Sequence, residues 1–585
     1  MVGGGMDDLL LEPLKYYEKV GREEHKQNTE DFFENLLKES GVDADQNRET
    51  VKEYNKEKAL ANDARSVIRK RRTLRGFTIL GMVICGILLM MGLSNISEGV
   101  EIGLAILFLV LGVAGITGGI ILLIKKINPA IRNANDILQV HLEKAEKLLA
   151  EAEAQMAPLN ALFDNTDTFK IIEKTIPDFK FDDRYSVEQE EYFITKHDFL
   201  DFNNGESSIL DTLSGRFAGN PFLFCNKLVH EMGTQTYHGS LVITWTEYYY
   251  DSNGNRRSRT KSQTLHASVV KPKPNFYEYQ YLYYGNQAAP DLTFSRDPQH
   301  SEQLNEKELE RRVKKGEKDL KKKAAKEMKH GGTFQEMANS EFDVLFGAVD
   351  RDQEMQFRLM YTPLAQRNTV DLLTSKTGYG DDFYFQKYKR FNVIISEHGQ
   401  NRNLDTSPGN YYSYDVDVAK QNFVNFNVNY FKSIFFDFAP LLAIPAYVEE
   451  PCASLEPIED TPSYYTYYEH EVLSNALGGY RLAHEQSATN AILKTEQLGT
   501  RDGGDVVRVT AFSYAAVDRV DFIPVYGGDG NYHNVPVPWV EYIPLEKQTD
   551  IMLGDAPVSV RERRAQDLYD SDDTVYWHGM YAKIL

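Results

Sequence analysis

Two uninterrupted apolar segments dominate the pattern of hydrophobic and polar positions along the chain. They are Phe77–Leu93 and Ile102–Ile124, and neither contains a charged residue. With about 17 and about 23 residues, they approach the roughly 20 that a helix needs to cross about 30 Å of hydrocarbon. Core helices of soluble proteins are rarely apolar on every face for this length. The pattern therefore predicts a transmembrane helical hairpin over residues 76–124.

Charges on either side of the apolar segments predict the orientation of the hairpin. The connecting loop Ser94–Glu101 has no lysine or arginine and carries Glu98 and Glu101. Basic flanks stay on the cytoplasmic side of a membrane, so we expect a multi-pass protein of the cell (inner) membrane with both termini in the cytoplasm. The membrane-flanking basic residues are Arg69, Lys70, Arg71, Arg72, Arg75, Lys125 and Lys126.

Small residues inside the apolar segments bear on how the two helices pack. Gly115 and Gly119 form a GxxxG pair, which allows two helices to approach closely. We expect this pair to pack the two hairpin helices together, with contacts between subunits as the alternative. Because the segments contain no acid, base or amide, an ion channel or transporter is not expected.

A periodic helical pattern follows the second apolar segment. Its apolar positions alternate steps of four and three residues, the a/d spacing of a coiled coil. We expect a helical stalk over residues 125–165 that pairs with the N-terminal cytoplasmic helices of residues 1–75 or with the stalk of another chain. The predicted seam consists of Leu138, Leu142, Ala145, Leu149, Ala152, Met156, Leu159 and Phe163.

From about residue 177 onward the hydrophobic period changes to two, which is typical of half-buried strands. In residues 241–246, large apolar side chains alternate with a valine and two threonines, which predicts a strand covered by protein on both faces. Asp251–Asn255 has the composition of a hairpin turn. Phe276–Tyr284 places tyrosines on one face. The predicted antiparallel strands are Ile209–Phe217, Pro221–Met232, Gly239–Tyr250, Ser258–Val270, Asn339–Leu345, Met355–Tyr361 and Val424–Tyr430.

These patterns predict an α+β membrane protein with a large, mostly antiparallel, β-rich cytoplasmic region. Residues 177–445 would form a β-rich α+β domain with a charged helical insertion at 301–330, and residues 446–585 a C-terminal β-rich domain. Thr362–Leu373 predicts a helix, and the proline-interrupted segment Phe435–Ala446 predicts core.

The amino-acid composition argues against some functions for the soluble part of the chain. A formal net charge of −21 over 585 residues argues against general nucleic-acid binding. The three cysteines are Cys85 in the first apolar segment, Cys225 and Cys452. They cannot form a disulfide framework, which agrees with a reducing compartment.

Two stretches of the chain resemble an uncharacterised family of bacterial membrane-associated proteins. One is Leu210-Asp-Thr-Leu-Ser-Gly-Arg-Phe217, and the other is Asn339-Ser-Glu-Phe-Asp-Val-Leu-Phe346 with the short motifs at 352–354, 357–359 and 362–364 that follow it. The resemblance covers about residues 180–375. It implies a bacterial membrane-tethered architecture and assigns no catalytic residue.

The segment Lys307–Lys329 is strongly basic, with eleven Lys or Arg and five Asp or Glu, a balance of +6. Such a segment attracts anionic lipid headgroups or phosphate. It has no aromatic residue for base stacking, so a nucleic-acid partner is not expected. A solvated helix or linker is the alternative. The proposed contact residues are Arg311, Arg312, Lys314, Lys315, Lys318, Lys321, Lys322 and Lys323.

Two His-Glu pairs in the C-terminal part have the side chains of a metal site, but their spacing in the sequence is not that of a known metal site. Imidazole and carboxylate groups suit zinc and similar ions, but the two His-Glu pairs are separated by Gly478 and Gly479 and match no recognised ligand pattern. We therefore predict no metal and no cofactor, and catalytic residues are unknown. The weak candidates are His470, Glu471, His484 and Glu485.

The absence of a catalytic motif and the predicted topology favour a non-enzymatic membrane scaffold. Its partners would be the lipid bilayer and a protein partner or a second copy of the chain; a small-molecule ligand is unknown. The tyrosine-rich stretches Tyr248–Tyr250, Tyr277–Tyr284 and Tyr464–Tyr468 are candidate binding surfaces, with cross-strand packing as the alternative. The alternative functions are a membrane-tethered hydrolase with a site around His470 and His484, and an oligomeric pore.

Overall fold

The computed structural model describes residues 9, 11–97, 102–199, 206–402, 404–449, 465–556, 573–577 and 579–585. The chain is 50% helix and 30% strand. Every strand pair in these ranges is antiparallel. The predicted mixture of helices and antiparallel sheet is therefore confirmed, although helix exceeds strand. Four residues that the sequence analysis used lie outside the described ranges, namely Glu98, Glu101, Cys452 and Tyr464.

The main helices are numbered α1 to α14 in chain order. Tyr17–Gly21 and Leu123–Ile127 are short π-helical segments, and Ser301–Gln303, Glu397–Gly399 and Pro408–Asn410 are 3₁₀ turns. The helices are α1 Pro13–Tyr16, α2 Arg22–Ser40, α3 Ala44–Ser97, α4 Ile102–Leu122, α5 Asn128–Asn160, α6 Asp167–Thr175, α7 Val187–His197, α8 Glu306–His330, α9 Ser340–Phe346, α10 Glu354–Met360, α11 Pro363–Thr374, α12 Val416–Leu442, α13 Ala446–Glu449 and α14 Tyr467–Leu482.

The strands form one seven-stranded sheet of order β1-β2-β3-β4-β7-β6-β5 and one five-stranded sheet of order β11-β12-β10-β9-β8. They are β1 Phe179–Phe181, β2 Ser207–Phe217, β3 Asn220–Tyr250, β4 Arg256–Gly285, β5 Thr293–Arg296, β6 Phe383–Tyr388, β7 Phe391–Ser396, β8 Ile492–Arg501, β9 Gly504–Tyr526, β10 Tyr532–Asp555, β11 Thr574–Trp577 and β12 Met580–Ile584.

The chain divides into two compact units, which we call the helical unit and the mixed unit. The helical unit comprises Glu30–Phe163 and Asn410–Asn425. The mixed unit comprises Met1–Thr29, Asp164–Gly409 and Phe426–Leu585, and it contains both sheets.

Two helices of the helical unit are long and apolar enough to cross a membrane. The polar helix before the first apolar segment continues into it without interruption, so that α3 runs from Ala44 to Ser97. In the apolar window of each candidate helix only 6% of residues are buried by the rest of the protein. Most residues of these two apolar windows therefore lie on the surface of the protein.

Glycines bring α3 and α4 into contact. A Cβ atom on Gly112 would lie 2.8 Å from the Cβ of Leu89. One on Gly115 would collide with Cys85, and one on Gly119 with Met82. The GxxxG pair therefore faces the other helix of the same hairpin, as expected.

The helices α3 and α5 pack on each other in antiparallel orientation. Ala145, Ala152, Met156 and Leu159 are buried as predicted. Leu142 is 38% exposed, so its assignment to the seam was wrong. The neighbouring His141 takes the inward position instead.

Polar side chains occupy inward positions along this contact. His141 Nδ1 lies 2.5 Å from the Glu57 carboxylate, and Gln155 Nε2 donates to the Thr50 hydroxyl at 3.0 Å. These polar residues interrupt the hydrophobic repeat, which is why the sequence showed a seam only on α5. The inward positions of α3 are Asn47, Thr50, Tyr54, Glu57, Ala61, Ala64 and Ile68.

The C-terminal part of α12 lies in the aromatic core of the mixed unit. Phe438 contacts Phe179, Phe217, Phe222 and Phe224 on the first three strands, with ring centroids 4.9 to 5.7 Å away. The predicted core segment Phe435–Ala446 is confirmed, since most of its apolar side chains are less than 5% exposed.

Three predicted strands are helices. Asn339–Leu345 and Met355–Tyr361 fold as α9 and α10, and Val424–Tyr430 lies within α12. Asn339 starts α9 because its side chain accepts a hydrogen bond from the Phe342 amide, a typical N-cap. The alternation that suggested these strands is too short to distinguish a period of 2 from one of 3.6.

The buried positions of α12 show its helical period directly. Phe423, Asn427, Phe431 and Ile434 are buried at spacings of four, four and three residues. By contrast, the predicted helices Thr362–Leu373 and 301–330 are confirmed as α11 and α8.

Replacing Gly115 by valine is expected to destabilise the contact between α3 and α4 by about 1–3 kcal/mol, because the added side chain meets Cys85. Gly118→Val is the matched control, since a Cβ there has nothing within 4 Å. Unfolding of the detergent-solubilised protein, followed by circular dichroism, measures the stability of both variants. Equal losses of stability in the two variants would contradict the contact.

Candidate functional site

Two β-ribbons extend beyond the sheets of the mixed unit. The strand β2 pairs with β3 only as far as Val229, and β7 pairs with β4 only from Tyr281 onward. Beyond these points, the register of the described strands pairs β3 and β4 with each other alone. We call residues 231–250 and 256–275 the first arm. At about 3.3 Å per residue it is roughly 66 Å long.

A second arm projects from the five-stranded sheet. The strand β8 pairs with β9 only up to Phe512, and β12 pairs with β10 only from Ile551 onward. Residues 513–526 and 532–545, which pair with each other, form the second arm. Its length is roughly 46 Å.

The predicted turn at the end of the first arm is confirmed. One carboxylate oxygen of Asp251 accepts hydrogen bonds from the amides of Asn253 at 3.0 Å and Asn255 at 2.9 Å. Gly254 has a φ of 78°, a conformation that glycine adopts at no steric cost. The carboxylate thus closes the turn, a common role for aspartate.

The two arms pack face to face. Ile243 and Leu265 of the first arm and Val535 of the second form one buried apolar cluster. On the opposite face of the first arm, Val242 is 63% exposed. The prediction that this strand is covered on both faces was therefore wrong, because its second apolar face has no described cover.

Polar contacts hold the arms together along their length. Lys271 lies 2.7 Å from the Asp521 carboxylate, and its ammonium is 4.1 Å from the ring centroid of Trp539. The indole of Trp539 donates to Asp521 at 2.9 Å. The hydrogen bond from Lys271 lowers the pKa of Asp521, so this carboxylate is charged at neutral pH. Nearer the end of the second arm, the Gly528 amide donates to the Gln263 side chain at 2.7 Å.

The first arm is longer than the second and extends past it. The turn of the second arm lies beside Ile243 and Trp245. Residues 246–260 lie beyond that level, and we call them the tip. Three consecutive tyrosines of the tip, Tyr248, Tyr249 and Tyr250, are 60%, 44% and 73% exposed.

Arginines lie over the aromatic rings of the tip. The guanidinium of Arg256 is 4.1 Å from the ring centroid of Tyr248, and that of Arg259 is 5.5 Å from that of Tyr249. Exposed tyrosine and arginine side chains that are held in place are the residue types that most often contribute binding energy in protein interfaces. The tip therefore has the composition and the exposure of a protein-binding surface.

The described tyrosines of the other two stretches are mostly buried or half-buried, although Tyr277 is 43% exposed. Tyr281 and Tyr283 stack on one face of β4, at 5.9 Å between centroids, and Tyr283 is 1% exposed. Tyr468 is 2% exposed and packs edge-on against Tyr185. Among the described tyrosines of the three predicted aromatic surfaces, Tyr248, Tyr249 and Tyr250 are all exposed, with Tyr248 and Tyr250 on one face of the strand and Tyr249 on the other.

His470 and Glu471 are both buried, and each contacts a polar side chain: His470 a carboxylate and Glu471 an ammonium group. His470 Nε2 lies 2.9 Å from the Asp505 carboxylate. Glu471 lies 2.7 Å from Lys494 and accepts a hydrogen bond from the Ile209 amide at 2.8 Å. Burial raises the pKa of Glu471, against the opposing effect of Lys494.

The second His-Glu pair does not complete a site. His484 Nδ1 accepts a hydrogen bond from the Gln486 amide at 3.1 Å, and Glu485 is exposed. In the part of the chain that the structure describes, no group of three or more His, Cys, Asp or Glu side chains is placed to hold a metal ion.

A cleft lies near these residues, but neither histidine lines it. Asp182, Arg184, Asp211, Glu469 and Trp577 are among the residues that line it. Burial raises the pKa of Glu469 to about 7.

The carboxylate of Glu469 already has structural partners. It accepts a hydrogen bond from the Thr466 amide at 2.8 Å, which caps α14, and it lies 3.6 Å from Arg184. The sequence did not indicate this cleft, because its lining residues come from distant segments of the chain.

His398 lies between two carboxylates of the mixed unit. Its Nδ1 lies 2.6 Å from Asp382 and its Nε2 lies 3.3 Å from Asp437. Arg402 lies 2.6 Å from Asp437, and the Tyr379 ring stacks on the imidazole at 3.8 Å.

These contacts make His398 unsuitable as a catalytic base. Burial acts to lower the pKa of His398, but Asp437 and Asp382 outweigh it and raise the pKa to about 9. Burial likewise opposes ionisation of Asp437, yet Arg402 and His398 lower its pKa to about 2. An imidazolium whose two nitrogens both face carboxylates has no free position to accept a proton.

The predicted basic residues fall into two groups. Arg312 donates to the Gln299 carbonyl at 2.8 Å and Lys323 to the Val349 carbonyl at 2.5 Å, so both support the fold locally. The other six basic residues predicted on α8 are exposed, as are the membrane-flanking residues of α3 and of Leu123–Ile127.

The stability of the mixed unit is expected to fall as the pH rises through about 9. Because the folded pKa of His398 is above the usual 6.5, its contribution is complete below about pH 6.5 and is lost as the imidazolium deprotonates. The loss is about 3 kcal/mol, measurable by thermal unfolding at a series of pH values. His398→Gln should remove this pH dependence. If the stabilities of the wild type and the variant differ by the same amount at about pH 6 and at about pH 10, the interpretation is wrong.

Comparison with known proteins adds no further assignment. No protein-family model, no curated protein and no solved structure matches the chain. The paired arms with the exposed tip are therefore the candidate site that the geometry itself supports.

Proposed function

We propose that this protein is a non-enzymatic scaffold anchored in the inner membrane. In this proposal α3 and α4 cross the bilayer as a hairpin, and their basic flanks keep both termini in the cytoplasm. The mixed unit binds a protein partner through the tip of the first arm. Anchoring raises the local concentration of both proteins at the membrane, so a modest affinity is sufficient.

The observation that carries this proposal is the exposed Tyr–Arg surface at the end of a braced ribbon. A two-stranded ribbon alone is marginally stable in water. Here the second arm supports the first as far as Trp245 and Gln263. The tip is therefore presented by a supported ribbon, which reduces the entropy lost when a partner binds.

The ribbon edges offer a second mode of contact within the same interface. Beyond Val229, the outer edge of β3 has no described strand beside it. Main-chain groups on such an edge bind an extended peptide by adding a strand. The rings at Tyr248–Tyr250 would then provide specificity.

The surroundings of His470 and His484 support the scaffold over the hydrolase. A hydrolytic site would need His470 or His484 beside an open pocket and a nucleophile. His470 is engaged by Asp505, and neither histidine lines the cleft near Glu469. The pore alternative has less support, because Gly115 and Gly119 are already used within the hairpin.

Loss of two tip rings is expected to weaken binding of the partner. Truncating two hot-spot residues costs about 2 kcal/mol or more, or roughly 30-fold in Kd. Photo-crosslinking from position 250 identifies the partner, and titration with the purified partner compares the wild type with the double variant Tyr248→Ser, Tyr250→Ser. Tyr480→Ser is the matched control, since Tyr480 is 77% exposed elsewhere on the mixed unit. Unchanged affinity in the double variant would exclude the tip as the binding surface.

Labelling of single cysteines tests the membrane orientation independently. A membrane-impermeant thiol reagent added outside intact cells is expected to label a cysteine at Ser94, in the last turn of α3. A cysteine at Leu585 should react only after the cells are opened. The reverse pattern would refute the orientation, and release of the chain from membranes by alkaline carbonate would refute the anchor itself.

A further inference from the structure

The basic helix α8 is fixed to the mixed unit along one side. Asn305 and Glu308 form a capping box at its start, and Gly331 ends it with a φ of 77°. Leu320 is 6% exposed, and Gly316 lies so close to Val344 that a Cβ there would collide. The helix is therefore a docked element with a defined outer face.

Its basic residues are concentrated on that outer face. At 100° per residue, eight Lys or Arg side chains fall within an arc of about 120° on the side opposite Leu320. The only other position in this arc is Ala325, and every Asp and Glu of α8 lies outside it. The eight residues, all exposed, are Lys307, Arg311, Lys314, Lys315, Lys318, Lys321, Lys322 and Lys329.

We propose that this arc binds the anionic headgroups of a lipid bilayer. The proposal rests on the membrane anchor proposed above, which keeps the mixed unit within reach of a lipid surface. A straight row of cations about 33 Å long matches a flat anionic surface, and each basic residue near such a surface strengthens binding roughly fivefold. The ion pairs of Lys314 with Glu310 and of Lys322 with Asp319 are exposed and compete little with headgroups.

The arc selects lipid over nucleic acid for two reasons. It contains no aromatic side chain on which a base could stack. The net charge of −21 also repels an extended polyanion that reaches beyond the helix, whereas headgroups contact only the surface presented to them. Arg312 and Lys323 do not belong to the arc, since both donate to backbone carbonyls.

Vesicle binding by the full chain tests the proposal. The protein is reconstituted in nanodiscs of phosphatidylcholine, which are neutral, and then titrated with vesicles of phosphatidylcholine with or without phosphatidylglycerol. The arc variant carries Arg311→Glu, Lys314→Glu, Lys318→Glu and Lys322→Glu. The control variant has the same change of charge at exposed sites of the mixed unit, through Lys174→Glu, Lys196→Glu, Arg501→Glu and Lys583→Glu.

We expect the wild type and the control variant to bind vesicles containing phosphatidylglycerol, with an affinity that falls as salt is added. The arc variant should bind at least about 50-fold more weakly while keeping its circular dichroism spectrum and thermal unfolding. Equal binding by the two variants would overturn the proposal. So would tighter binding of duplex DNA or single-stranded RNA than of the vesicles at equal phosphate concentration.

Failure of the arc and failure of the anchor give different results. A chain that does not enter the nanodiscs refutes the anchor, whatever the vesicles show. A chain that enters them and binds neutral and anionic vesicles equally refutes the arc alone.

Discussion

The mutual burial of two β-ribbons is the interaction on which the proposed binding surface depends. Each arm buries its inner face against the other through Ile243, Leu265 and Val535. Lys271 and Asp521 fix the alignment with an ion pair. Because the first arm is longer, the same packing that stabilises the ribbons leaves its tip uncovered.

The buried charges of the mixed unit are used for structure. Arg296 and Asp381 are both fully buried and pair with each other. Arg351 lies 2.7 Å from Asp343 in α9 and 2.8 Å from Glu354 in α10, and it thereby connects these two helices. His398 is held between two carboxylates. Arg296 and His398 thereby join segments that are far apart in sequence, whereas Arg351 joins neighbouring helices.

The proposed functions use separate parts of the molecule. The apolar helices would anchor the chain, the outer face of α8 would contact headgroups, and the tip would bind a protein. In each case, burial of one face of the element leaves the opposite face exposed for binding. For α8, docking through Leu320 and Gly316 places the basic residues on the outside. The two proposed surfaces can therefore be tested by substitutions that leave the packed faces unchanged.

The sequence by itself determined the features that depend on local composition: the two apolar helices, the long helix α5, the turn at Asp251 and the basic character of α8. An alternation over seven residues was too short to predict the secondary structure of Val424–Tyr430. This segment belongs to α12, a helix that is buried on several sides. Only the tertiary structure decided that Tyr248–Tyr250 is exposed while Tyr468 is core, and that His470 is paired with Asp505. The physical reason is that hydrophobic burial is non-directional, so the exposure of a side chain depends on which distant segment packs against it.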